Sequence, residues 1–132
     1  MRKHPVLEAV MDASALLALL NAEPGADVVA QALPEAVISA VNLSEVVAKL
    51  SQAGMPEDAV RLAMQPLGLK VEPFEEEQAY QAGILHGATK RLGLSLGDRA
   101  CLSLAQRLGV IALTADRTWV ELSPGFSVRL IR

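Results

Sequence analysis

Four acidic residues stand where the sequence predicts that helices begin. Asp12 and Asp116 closely follow short apolar segments that are typical of buried strands, and Glu45 and Asp98 fall in the first turn of predicted helices. In a parallel sheet such positions meet at one edge, where ligands commonly bind. Carboxylates gathered there repel one another strongly, so the group would take up protons or hold a cation. Because the chain has one cysteine and two isolated histidines, the expected ion is one that prefers oxygen ligands, Mg²⁺ or Mn²⁺.

Each acid also has an alternative explanation as part of a helix cap. Asn42 with Glu45, and Ser95 with Asp98, have the spacing of a capping box, in which two residues satisfy each other's backbone N–H groups. The two acids that follow strands could be N-caps, or first-turn acids at the positive end of a helix dipole.

Two features favour a shared site over four separate caps. Asp12 directly continues a segment with the composition of a buried strand. Asp98 lies on the helical face that also carries the apolar residues Cys101, Leu102 and Ala105. Both acids are therefore expected on the buried side of the fold.

Polar and basic residues flank the acids. Ser14 and Thr114 stand two positions from Asp12 and Asp116, where their hydroxyls could orient a carboxylate or a bound water, or could cap helices instead. Three cations lie beside or one helical turn from the acids, and they could bind substrate phosphates or neutralise the acids internally: Lys49, Arg99 and Arg117.

Short apolar segments alternate with helical ones along the chain. This pattern predicts a three-layer α/β/α fold, in which a parallel sheet is covered by helices on both faces. Predicted strands span residues 6–11, 36–40, 69–71, 110–114 and 127–131. Predicted helices span 14–21, 27–33, 42–53, 56–65, 75–92 and 97–108, with a helical turn or two over 116–122. No repeat or linker interrupts the pattern, so we expect a single domain over residues 1–132.

The composition narrows the class of protein. Hydrophobic residues make up 52% of the chain and charged residues 20%, which argues against disorder. No apolar run reaches the roughly 18 residues of a membrane helix, and the basic start is expected to lead into the first strand, not to form a signal peptide. The single cysteine, Cys101, fits a reducing cytoplasm. The net charge of −3 gives nucleic-acid binding no support beyond a local patch.

Four segments occur in an order that resembles the PIN-domain family, and within it the VapC-type toxins of bacterial toxin–antitoxin pairs. They are VMDASALLALLNAEPGA, VNLSEVVAKL, LGLSLGDRACLSLA and VIALTADRTW, and the resemblance runs nearly the whole chain. The resemblance implies four acidic metal ligands, Asp12, Glu45, Asp98 and Asp116, with Ser14 and Thr114 at the accompanying hydroxyl positions. One departure is Trp119, which stands where many members have Phe and affects only local packing.

The resemblance also implies an activity and partners. The implied fold is a parallel sheet between helices, and the implied activity is that of a metal-dependent endoribonuclease. The implied partners are RNA, a second copy of the chain in a homodimer, and an antitoxin whose C-terminal segment lies in the groove near the acids.

We therefore hypothesise an endoribonuclease in which one or two Mg²⁺ or Mn²⁺ ions, held by the four acids, activate water to attack RNA. The three flanking cations would then contact RNA phosphates. The alternative is a non-catalytic PIN-like interaction module whose acids are caps, with SALLALL and DVVAQAL as a dimer face or partner groove. Trp119 and Tyr80 could stack on bases, but we expect both to pack in the protein.

Overall fold

Five short parallel strands form the sheet of this computed structural model, which describes residues 8–132. The strands lie side by side in the order β3-β2-β1-β4-β5. Their bounds are β1 (Ala9–Met11), β2 (Ala36–Ser39), β3 (Lys70–Glu72), β4 (Ile111–Thr114) and β5 (Val128–Leu130). The predicted parallel sheet is confirmed, while residues 6 and 7 of the first predicted strand lie outside the described residues.

Six α-helices cover this sheet in the part of the chain that the structure describes. They are α1 (Ala13–Leu20), α2 (Ala26–Ala32), α3 (Ala40–Gln52), α4 (Glu57–Met64), α5 (Glu76–Thr89) and α6 (Leu96–Leu108). Single 3₁₀ turns follow α2, α4 and α5, and a further one spans Arg117–Glu121. The predicted helix 75–92 therefore ends early as an α-helix, because its last residues tighten into the turn Lys90–Leu92.

Successive side chains along each strand point to opposite faces of the sheet, so apolar residues pack on both faces. In β1, Val10 packs with residues of α6, whereas Ala9 and Met11 pack with residues of α1 and α2. Partly buried Leu85 adds α5 to the first face, and α3 and α4 join α1 around Ile38 of β2. The predicted three-layer α/β/α fold is confirmed. No helix within residues 8–132 is long and apolar enough to cross a membrane.

Helix α3 begins earlier than predicted. Ser39 is the last residue of β2 and also the N-cap of α3, because its Oγ accepts a hydrogen bond from the N–H of Val41 at 3.2 Å. The prediction that the strand continues to Ala40 and that Asn42 caps the helix is wrong. Asn42 lies inside the helix and is buried, and Glu45 lies in the second turn instead of the first.

Strands β1 and β4 are neighbours at the place where the chain changes direction across the sheet. From β1 the chain runs outward to β2 and β3, and it then returns to build β4 and β5 on the other side. In open parallel sheets ligands bind beyond the carboxyl ends of the strands at such a switch point. The register pairs Met11 with Leu113, so Asp12 and Thr114 come together there.

Candidate active site

Asp12 is an almost completely buried carboxylate at the end of β1. It is 4% exposed and N-caps α1. Its Oδ1 accepts hydrogen bonds from the backbone N–H of Ala15 at 2.8 Å and from Ser14 Oγ at 2.7 Å. Its Oδ2 accepts one from Thr114 Oγ1 at 2.5 Å. Donors from α1 and from β4 therefore fix the position of this carboxylate.

The hydroxyls of Ser14 and Thr114 connect Asp12 to the chain that follows β4. Ser14 Oγ accepts a hydrogen bond from the N–H of Ala115 at 2.9 Å. Thr114 Oγ1 accepts one from the N–H of Asp116 at 3.0 Å. Each hydroxyl thus donates to Asp12 and accepts from a backbone amide, an arrangement in which the oriented hydroxyls and the carboxylate hold one another in place.

Burial dominates the acid–base behaviour of Asp12. Loss of hydration raises its pKa from 3.8 to about 6, and the negative charge of Asp98 adds to this rise. Hydrogen bonds from Thr114, Ser14 and Ala15 act in the opposite direction, because they stabilise the ionised form. The ionised carboxylate is therefore held at an energetic cost that a nearby cation would reduce.

On the other side of the site, Asn42 joins α3 to α6. It is 1% exposed, and its Nδ2 donates to Glu45 Oε1 at 2.9 Å and to the carbonyl oxygen of Gly97 at 3.0 Å. The Glu45 carboxylate packs so closely on Gly97 that a Cβ atom at position 97 would overlap it. This position of the Glu45 carboxylate therefore requires a glycine at position 97.

Asp98 is held by the predicted capping box, which is confirmed. Its Oδ2 accepts a hydrogen bond from the N–H of Ser95 at 2.9 Å, and Ser95 Oγ accepts one from the N–H of Asp98 at 3.2 Å. The apolar residues on the same face of α6, Cys101, Leu102 and Ala105, are buried as expected.

Three of the four acids act on the same buried thiol. Burial raises the pKa of Cys101 far above its usual range, and the charges of Asp12, Asp98 and Glu45 raise it further. The fold therefore brings these three acids close enough to Cys101 to share one electrostatic environment. Asp116 is not among the charges that act on the thiol.

Asp116 caps the 3₁₀ turn that follows β4. Its Oδ1 accepts hydrogen bonds from the N–H of Thr118 at 3.0 Å and from Thr118 Oγ1 at 2.7 Å. Its backbone N–H donates to Thr114 Oγ1, which in turn donates to Asp12. Asp116 is thus linked to the other acids through one hydroxyl.

Three acids keep one carboxylate oxygen unused. Each of these acids accepts hydrogen bonds from residues 8–132 through one carboxylate oxygen only. The oxygens that accept none are Glu45 Oε2, Asp98 Oδ1 and Asp116 Oδ2. None of the four acids forms an ion pair within the described part of the chain. Capping and cation binding therefore do not exclude each other.

The free carboxylate oxygens of these acids are suitable ligands for a hard divalent ion, because such ions prefer oxygen ligands and no positively charged side chain of residues 8–132 pairs with them. The same side chains do not form a ready-made ligand set. Among residues 8–132, no three carboxylate, imidazole or thiol groups converge closely enough to bind one ion.

None of the three flanking cations forms an ion pair with the four acids within the described part of the chain. Arg99 Nη1 donates to the carbonyl oxygen of Ala82 at 3.0 Å, and this bond ties α6 to α5. Arg117 Nη1 donates to the carbonyl oxygen of Arg132 at 3.3 Å, and Lys49 is exposed on α3. Contact of these residues with phosphate remains a prediction.

Much of the SALLALL segment is core, since Ala15, Leu16 and Ala18 are buried. Trp119 is buried, which confirms that it packs in the protein. The same prediction is wrong for Tyr80, which is 65% exposed on α5.

Sequence reasoning missed the roles of Asn42 and Gly97. One signal was available, because Asn42 stands three positions before Glu45 and therefore shares its helical face. The contact with Gly97 had no signal in the pattern, since 55 positions separate the two residues.

Three solved structures of toxin–antitoxin proteins resemble this fold. The DNA-bound VapBC of Salmonella typhimurium has a TM-score of 0.76 at 17% identity, covering 96% of this chain and 100% of the other. A toxin–antitoxin complex from Klebsiella pneumoniae has a TM-score of 0.74 at 21% identity, covering 95% and 98%. VapBC-1 from nontypeable Haemophilus influenzae has a TM-score of 0.71 at 17% identity, covering 95% and 98%. At these identities, the similarity shows a shared fold.

Sequence comparison identifies the family. A search of curated protein sequences finds no significant match. Residues 9–123, which include all four acids, match the PIN domain family. The chain therefore belongs to the PIN domain family.

Proposed function

We propose that this chain is the toxin of a toxin–antitoxin pair and a metal-dependent endoribonuclease, with one nuclease domain over residues 1–132 that acts in the cytoplasm. Membership of the PIN domain family and a fold shared with toxin–antitoxin complexes support this proposal. The observation that carries it is the approach of Asp12, Glu45 and Asp98 to Cys101, at the edge of the sheet where ligands bind.

The proposed cofactor is Mg²⁺ or Mn²⁺. Its ligands would be Asp12 together with the carboxylate oxygens of Glu45, Asp98 and Asp116 that accept no hydrogen bond from the described residues. When bound, such an ion polarises a phosphate group and lowers the pKa of a bound water, which makes hydrolysis possible near neutral pH.

The chain itself prepares the site. Ser14 and Thr114 donate to the two oxygens of Asp12, so they fix its rotamer and favour its ionised form. Exposed Lys49 and Arg117 are the proposed contacts for RNA phosphates. Arg99 belongs to the same proposal, although one of its guanidinium nitrogens already binds Ala82.

The test uses Asp12→Asn and Asp98→Asn in a cleavage assay with labelled RNA, with Mg²⁺ or Mn²⁺ and with EDTA as the control. We expect the wild-type protein to cleave only with metal, and each variant to lose most of this activity. Unchanged cleavage in both variants would contradict the proposal. A wild-type protein that cleaves no RNA but binds a partner would favour the non-catalytic module.

We also propose a binding site for the antitoxin. A groove of about 620 Å³ lies between α3, α4 and β3, and its apolar lining includes Val47, Val60, Met64 and Val71. An apolar segment of the antitoxin would bury these side chains. We expect Val47→Asp to reduce copurification with the product of a small neighbouring reading frame, whereas a wild-type yield of complex would contradict this site.

A second copy of the chain is the proposed occupant of the exposed face of α5. Tyr80 and Ile84 are 65% and 79% exposed and lie one helical turn apart. Packing this face of α5 against the same face of a second copy would remove both apolar side chains from water, as expected at a two-fold interface.

Light scattering coupled to size exclusion tests this dimer. We expect Ile84→Glu to yield a monomer, because it would bury a charge at the contact. A dimer that is insensitive to this change would place the interface on another surface.

A further inference from the structure

We propose that Asn42 is a positioning residue, which holds the Glu45 carboxylate against the first turn of α6 and thereby sets the affinity of the site for its divalent cation. Asn42, Glu45 and Gly97 together form what we call the α3–α6 latch. The inference rests on the proposed function, because it assigns a role toward the cation of that same site.

The hydrogen bonds of Asn42 give the first support. Its Nδ2 donates both to Glu45 Oε1 and to the carbonyl oxygen of Gly97, so one amide group connects the acid to the neighbouring helix. The bond to Glu45 is charge-assisted and therefore stronger than a neutral one. Without it, the flexible side chain of Glu45 would be free to adopt other rotamers.

Gly97 gives the second support. A Cβ atom at this position would overlap both oxygens and the carboxyl carbon of Glu45. Gly97 is also the residue before Asp98, whose side chain is fixed by the capping box with Ser95. The latch therefore sets the position of the Glu45 carboxylate relative to Asp98, although the two acids lie on different helices.

The amide oxygen of Asn42 gives a third, independent support. Asn42 Oδ1 is buried and accepts no hydrogen bond in the part of the chain that the structure describes. A buried polar atom without a partner is costly to the fold and often marks a functional site. An apolar side chain of similar size would avoid this cost but would leave Glu45 without its donor.

The experiment measures Mn²⁺ binding to the metal-free protein by calorimetry and by the EPR signal of free Mn²⁺. Asn42→Leu removes the amide at similar size, and Gly97→Ala displaces Glu45 while it keeps Asn42. Ser44→Ala, at an exposed position on the same helix, is the matched control. Melting temperatures in EDTA report folding separately from metal binding.

We expect Asn42→Leu and Gly97→Ala to weaken Mn²⁺ binding by about tenfold or more, as is usual when a group that orients a metal ligand is lost. Ser44→Ala should bind Mn²⁺ as the wild-type protein does. Gly97→Ala should not lower the melting temperature, because alanine favours a helix more than glycine does. In RNA cleavage, excess Mn²⁺ should restore much of kcat, which loss of folded protein would not allow.

The possible outcomes distinguish a failure of the latch proposal from a failure of the proposed function. Wild-type Mn²⁺ affinity in Asn42→Leu and Gly97→Ala would overturn the latch while leaving the nuclease proposal in place. If Asn42→Leu does not fold, Asn42→Ala takes its place, because it also removes the amide that donates to Glu45. A wild-type protein that neither binds Mn²⁺ nor cleaves RNA would overturn the proposed function, and with it any role of Asn42 toward a cation.

Discussion

The two halves of the candidate site hold their acids by different means. On the β1–β4 half, Asp12 is buried and both of its oxygens accept hydrogen bonds from side chains or backbone. On the α3–α6 half, Glu45 and Asp98 are half-buried, and each has one oxygen that accepts no hydrogen bond from residues 8–132. The strand end thus holds both oxygens of its acid, whereas the helices hold one oxygen of each acid and leave the other free, so this half can adjust to a ligand only through the free oxygens. Four experiments test whether the two halves differ in this way.

The largest effect is expected from substitution of the buried acid, Asp12. Asp12→Asn should lower RNA cleavage at saturating Mn²⁺ by more than about a hundredfold, which exceeds the loss that is typical when only an orienting group is removed. Glu45→Gln should cost less, because its half of the site can adjust. A larger loss in Glu45→Gln, measured in the same assay, would contradict the comparison.

The buried carboxylate should also make stability depend on pH. Because the pKa of Asp12 rises from 3.8 to about 6 on folding, the folded protein binds this proton more tightly than the unfolded chain. The free energy of unfolding should therefore fall as the pH rises from about 4 to about 6, by at most about 3 kcal/mol from this group. Urea unfolding in EDTA measures this change.

Asp12→Asn should lack this part of the pH dependence, and so it should gain stability relative to the wild-type protein as the pH rises. Asp58→Asn, at an exposed position on α4, is the control and should follow the wild-type curve. A difference between Asp12→Asn and wild type that stays constant from pH 4 to pH 8 would refute the assigned burial effect.

A smaller effect is expected from removal of the Thr114 hydroxyl, which orients Asp12. Thr114→Val keeps the shape of the side chain but removes the donor to Asp12 and the acceptor for the N–H of Asp116. The pKa of Asp12 should rise further, and the free energy of unfolding at pH 7 should fall by about 1–3 kcal/mol. Urea unfolding at pH 7 checks this, and Ser44→Ala on the exposed face of α3 serves as the control.

The smallest effect is expected at the cap of α6. Ser95→Ala removes the hydroxyl that accepts from the N–H of Asp98, so it should lower the free energy of unfolding by about 1 kcal/mol. Because Asp98 is then held less firmly, Mn²⁺ affinity should change less than in Gly97→Ala. If Ser95→Ala weakened Mn²⁺ binding more than Gly97→Ala, the adjustable half would depend on its cap and not on the latch.

Local patterns predicted the parts of the site that depend on residues close in sequence. The capping box of Ser95 and Asp98 spans three positions, and the placement of Asp12 follows from the end of a single apolar strand. The same reasoning took Asn42 as the cap of α3, whereas the cap is Ser39, because both residue types are good caps and the pattern did not fix where the strand ends. The exposure of Tyr80 was also missed, since helical periodicity does not reveal which face of α5 lacks a partner.

Asp98 and Asp116 can each accept a backbone hydrogen bond and bind a cation at the same time, and NMR spectroscopy can detect the consequence. Asp98 accepts from the N–H of Ser95 through one oxygen while the other is free, and Asp116 does the same with Thr118. A cation that draws electron density to the free oxygen would weaken the hydrogen bond at the other one. The amide protons of Ser95 and Thr118 should therefore shift and exchange faster on metal loading, so that two backbone signals would report occupancy without substrate.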